Sequence, residues 1–118
     1  MEKQFNQTVK NAKGETVDTI VKSLYNAYDD NRKTDDSMFG YYVGITNNII
    51  ENYSRHKNDE FGGEDFKYVA IFECDTAEIA ATVEYKMKRK GFDVGNTNVP
   101  GNGGVDDSTI VYMFKKPM

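Results

Sequence analysis

The chain has one cysteine, one histidine and no tryptophan among its 118 residues. The single Cys74 excludes an internal disulfide and fits a reducing cytosol. No apolar run approaches the roughly 20 residues a membrane helix needs, so no membrane association is expected. No basic-then-apolar segment precedes the first charged residues, so no secretory leader is expected either. No internal repeat is visible. A net positive charge is absent too: 15 Lys and Arg face 19 Asp and Glu, a formal net charge of −4. That disfavours tight, sequence-blind binding to a polyanion, which depends on many cation–phosphate contacts. A small nucleotide, a protein partner, or nucleic acid held by a local patch stay open.

What is present suffices for one domain over 1–118 with a single core. Phe and Tyr make up 13% of the residues and must supply much of that core. Val17, Ile20, Val21, Leu24, Tyr25 and Tyr28 recur at the 3.6-residue period and predict a helix over Thr16–Tyr28. Met1–Lys13 is polar and reads as a frayed start or an edge strand. Asp29–Ser37 is a charged, solvent-facing loop. Phe66–Phe72 is a strand whose near-continuous apolar run suggests burial on both faces. Asp75 or Thr76 caps a further helix running to about Arg89, with Ile79, Ala80, Val83 and Met87 inward and Gly91 as its stop. Phe92–Val94 can start a strand, and Thr109–Phe114 is the last one. The pattern implies an α/β (α+β) domain: a small three- to four-stranded sheet with about three flanking helices.

The organising stretch is Gly40–Lys57. Phe39, Tyr41 and Val43 alternate with Gly40, Tyr42 and Gly44 as in a strand. Thr46 or Asn47 can cap the helix that follows, Asn48–His56, whose apolar face is Ile49, Ile50 and Tyr53. Strand and helix together carry Tyr42, Asn52, Arg55 and His56 towards one region. His56 is either a general base, since imidazole titrates near neutrality, or a surface residue at a helix end. The basic run Lys86–Lys90 suits a helix C-terminus and offers phosphate contacts from Lys86. Gly95–Gly104 is a glycine- and asparagine-rich loop without the string or the following helix of a P-loop. Asp106, Asp107 and Ser108 after it are polar enough to read a ligand's sugar or base.

Tyr42-Val43-Gly44, followed by a helix ending at His56 and then by a strand and a helix with Ala80 and Glu84 one turn apart, resembles the second half of the GIY-YIG endonuclease motif. The resemblance spans Phe39–Gly91. It implies a single Mg²⁺ held by Glu84, a Tyr42–His56 cluster that activates water, and a polar Asn in the position of Asn96 or Asn102. Two departures stand out. Asn52 occupies the place of the family's arginine, leaving Arg55 one turn on as the nearest substitute, and no Gly-Ile/Val-Tyr strand precedes the motif unless Phe5–Val9 supplies one. Such departures imply a phosphodiester-binding domain with nuclease chemistry weakened or lost. The alternative is a non-enzymatic protein that sequesters a nucleotide or blocks a protein partner, as small phage-borne counter-defence proteins do. A homodimer with a shared pocket is a further expectation.

Overall fold

The computed structural model describes residues 5–95 and 107–117. Its elements are β1 (Lys10–Asn11), α1 (Val17–Asn31), a short 3-10 turn (Met38–Gly40), β2 (Tyr41–Thr46), α2 (Ile49–Asp59), β3 (Ala70–Glu73), α3 (Ala77–Lys90) and β4 (Ile110–Lys115). The four strands form one mixed sheet in the order β1-β3-β4-β2. β1 runs parallel to β3, and β4 is antiparallel to both its neighbours. The expected α+β class, small sheet and three helices are all observed. No helix among the described residues is long and apolar enough to cross a membrane.

β4 is the strand buried on both faces. Val111 and Met113 point into a core with Val43, Leu24, Val83 and Met87, which packs α1 and α3 on the sheet. Ile110, Tyr112 and Phe114 point the other way, into a second core with Ile49, Tyr53, Tyr68 and Ile71 under α2. Side chains alternate across a strand, so one continuous apolar run serves two layers. Each large aliphatic side chain so buried contributes roughly 1.5–3 kcal/mol.

The sequence reading placed two-sided burial in Phe66–Phe72, but only Ala70–Glu73 is regular strand there. The cause lies at Tyr68. Its backbone N–H donates to Gln7 Oε1 at 2.8 Å and its carbonyl accepts from Gln7 Nε2 at 3.0 Å. A side-chain amide thus takes the place of a neighbouring strand. The N-terminal segment does yield an edge strand, β1, but at the edge of the sheet opposite β2. It therefore does not stand beside the Tyr-Val-Gly strand.

Asn48, rather than Thr46 or Asn47, caps α2, accepting from Glu51 N–H. Thr46 is still in β2 and its hydroxyl accepts from Asn48 N–H at 3.1 Å, while Asn47 donates to Asp107 at 3.0 Å. Thr76 caps α3, and Asp75 instead accepts from Gly14 N–H at 2.7 Å. α3 stops at Gly91, whose φ of 119° is a left-handed conformation open to glycine. α1 runs three residues past Tyr28 before its end. The loop after it is pinned rather than solvent-facing throughout: Asp36 accepts from Tyr41 Oη at 3.0 Å and pairs with Lys115 at 3.1 Å. A backbone bond from Lys33, with Lys115, holds the Asp36 carboxyl down at about 2. Phe92–Val94 contributes only an isolated bridge, between Tyr42 and Asp93.

Candidate functional site

β2 is an edge strand, and its pleat sends Tyr42 to the α2 side. The Tyr42 ring stacks on Phe114 at 5.1 Å between centroids and lies 5.5 Å from the His56 ring. Across the ladder Gly44 faces Tyr112. A Cβ at Gly44 would stand 2.6 Å from Tyr112 Cζ, so only glycine lets the phenol lie against the strand.

α2 continues past His56 to Asp59, and this extra turn matters. It brings the exposed Glu60, its C-cap, one turn below His56. His56 is no surface residue: it is 4% exposed. Its Nε2 is 2.9 Å from Tyr112 Oη and its Nδ1 is 2.8 Å from Glu60 Oε1. Asn52 is also buried. Its Nδ2 donates to Tyr112 Oη at 3.2 Å, and its Oδ1 accepts from Tyr68 Oη at 2.7 Å. A phenol has one proton to give. Having accepted from Asn52, Tyr112 gives that proton to Nε2, so Nδ1 carries the imidazole hydrogen towards Glu60. Burial holds His56 below its ordinary value, with Glu60 acting against it, and the ring is neutral at pH 7. Burial likewise raises Tyr68 and Tyr112.

Tyr42 is raised as well, by burial first, then by the charges of Glu84 and Asp93, with Arg55 acting against them. Glu84 also raises Tyr112, and Arg55 acts on His56, Tyr68 and Tyr112. Tyr42 thus lies within electrostatic reach of both Glu84 and Arg55, and His56 within reach of Arg55. Glu84 is half-buried on α3. Burial lifts its carboxyl to about 7, and Lys88 pulls only weakly the other way. Arg55 is exposed, and among the described residues no ion pair or hydrogen bond engages it. Gly95 passes close by: a Cβ there would be 2.9 Å from Tyr42 Oη.

Other expected residues are elsewhere. Lys86 lies on the far side of α3, paired with Asp18 at 3.1 Å. Asn52 is turned inward with both ends of its amide occupied, so it holds two tyrosines rather than facing a ligand. Ser108 is buried, and Asp107 meets Asn47. Asn96, Asn102 and Asp106 lie outside the described residues. Cys74 is fully buried, its thiol pushed up to about 11 by that burial, and is chemically inert.

A Mg²⁺ bound by one or two carboxylates with most of its shell as water needs those carboxylates ionised. Burial keeps the Glu84 carboxyl up near 7, and among the described residues no group of three or more His, Cys, Asp or Glu gathers at any point. A Mg²⁺ held here would rest on Glu84 alone, with water filling the rest of its shell.

Sequence reasoning did not reach Tyr112, Tyr68 or Glu60. Glu60 had a signal, its spacing of four from His56, hidden by ending the helix too early. Tyr112 had none, since strand register is not written in one sequence. No family model, curated protein or solved structure matches the chain.

Proposed function

We propose that the Tyr42–Arg55–Glu84 corner is a GIY-YIG-like site that binds a phosphodiester or the phosphate of a nucleotide and holds it without efficient cleavage. The observation that carries this reading is the division of labour on α2. Arg55 is an exposed charge that pairs with no described residue and lies within electrostatic reach of Tyr42, whereas Asn52, in the place of the family's arginine, is committed to the interior. Arg55 binds a phosphate oxygen through a charge-assisted bond, and Tyr42 donates its phenolic hydrogen. Glu84 in its protonated form donates a second hydrogen bond and adds no repulsion. Without a fixed cation at Asn52, a developing negative charge lacks a donor worth several kcal/mol. Capture therefore outlasts cleavage, and the fitting role is sequestration of a nucleotide or a nucleic-acid end.

The test mixes the protein with Mg²⁺ and a panel of DNA, RNA, cyclic and linear nucleotides, scored for cleavage and heat-stabilisation together. Stabilisation by one class without turnover, lost in Arg55→Ala, is the expected result. Stabilisation that survives Arg55→Ala, or a panel that leaves the melting temperature unmoved, would remove the reading.

A further inference from the structure

Acidic residues outnumber basic ones in this chain, yet basic ones are gathered in one place. Lys22 on α1 and Lys86 and Lys90 on α3 line one groove, and Arg89 follows on the outer face of α3. Between the two helices runs a shallow groove of about 350 Å³, lined by Asp18, Val21, Lys22, Tyr25, Lys86 and Lys90. Two of the exposed large hydrophobic side chains accompany it, Tyr25 lining the groove at 36% exposed and Tyr85 beside Arg89 on the outer face of α3 at 54% exposed. Each ring has a cation beside it. Lys90 Nζ is 5.5 Å from the Tyr25 centroid, and the Arg89 guanidinium is 5.9 Å from the Tyr85 centroid and donates to its hydroxyl at 3.2 Å. Arg89 lowers the Tyr85 phenol accordingly. Of the acids on these two helices, Asp18 is paired with Lys86, Asp29 with Arg32, Glu84 is half-buried on the Lys88 flank, and Asp30 and Glu78 lie at helix ends away from the groove.

From this we infer that the α1–α3 groove and the C-terminal half of α3 form a track for a single-stranded nucleic acid. Tyr25 and Tyr85 take bases on their open faces, and Lys22, Lys86, Arg89 and Lys90 meet phosphates. Ring-plus-cation units in succession match a polymer that alternates flat bases with anions, and every base has a face to stack. An acidic peptide would use the cations but not the rings. The inference deepens the proposed function, on whose phosphodiester chemistry it rests, by naming a single-stranded polymer as the occupant. It uses none of the corner residues, so the two can fail separately.

The test is fluorescence anisotropy with a labelled 15-mer of oligothymidine, beside calorimetry with a nucleoside monophosphate. Three or four phosphate contacts give a slope of about −2 to −3 in log affinity against log salt, a roughly 15- to 60-fold loss from 50 to 200 mM. Lys86→Glu with Lys90→Glu should weaken the oligomer at least about tenfold. Lys10→Glu with Lys13→Glu, an equal charge change at exposed residues near β1, should stay within about threefold. Tyr85→Ala should cost the oligomer at least about fivefold and leave the salt slope unchanged. Monophosphate binding should survive the band variants. A wild type that ignores the oligomer, equal losses in the two double variants, or a Tyr85→Ala without effect beside tight binding of poly-glutamate would each overturn the track. Oligomer binding through the band with no monophosphate binding would uphold the track and remove the corner.

Discussion

Tyr112 lies directly across the β2–β4 ladder from Gly44, with its hydroxyl in the space a side chain at Gly44 would fill. The hydroxyl cannot retreat, because Asn52 and His56 hold it from above. Gly44→Ala should therefore destabilise the fold by roughly 2–3 kcal/mol, the upper part of the range for overpacking a core. Thermal or urea melts read this directly. Tyr112→Phe should relieve little of the clash, because the ring carbon is itself too close, and the double variant should remain less stable than Tyr112→Phe alone.

Placing an arginine at position 52, as the GIY-YIG pattern has it, should fail. Asn52 is 3% exposed and its amide is fully engaged. Asn52→Arg would bury an unpaired cation and orphan the Tyr68 hydroxyl. The expected cost is at least about 3 kcal/mol, with no gain in cleavage, readable in the same melts and in a plasmid-nicking assay. A stable, nicking-active Asn52→Arg would show that the inward amide is dispensable.

His56 and Glu84 give opposite pH slopes. His56 is held below its ordinary 6.5 in the fold, so the unfolded chain binds more protons, and its contribution to stability is lost as pH falls below about 6.5. Glu84 is raised from 4.5 to about 7. Its contribution is fully present below 4.5 and is lost as pH rises through 7. That shift amounts to about 3 kcal/mol before allowance for solvent at a half-buried carboxyl. Glu84→Gln should be more stable than the wild type at pH 8, with the advantage shrinking towards pH 5. His56→Gln should flatten the acid limb. Urea midpoints between pH 5 and 8 decide both, and parallel profiles for all three proteins would contradict them.

Much of the fold was legible, and for physical reasons. Three helices announce themselves by apolar period and one of them by its cap at Thr76, while the caps Thr16 and Asn48 read as the first helical residues, and the helix ends were off by a residue or a turn. The sheet was less legible. Phe66 and Tyr68 read as strand because aromatic residues suit a pleat, yet a glutamine side chain ends the ladder there. The two-sided burial belonged to Ile110–Phe114, whose central place depends on pairing partners far away in sequence. In the proposed corner, Tyr42 and Arg55 were named from the strand-and-helix pattern and Glu84 from the family resemblance. Asn52 and His56 were assigned outward roles because a helical position does not say which side meets the sheet; Ile50, expected inward, is 66% exposed. Tyr112 and Glu60, which fix the histidine's tautomer, emerge only from register and from the last turn of α2.

The most direct measurement is calorimetric titration of a nucleoside monophosphate into wild-type protein and Arg55→Ala at pH 7. One charge-assisted bond to phosphate is worth about 1.5–3 kcal/mol. Affinity should fall roughly 10- to 100-fold in Arg55→Ala, with the melting temperature of the ligand-free protein unchanged. Equal affinity in the two proteins would contradict a phosphate site at the Tyr42 corner.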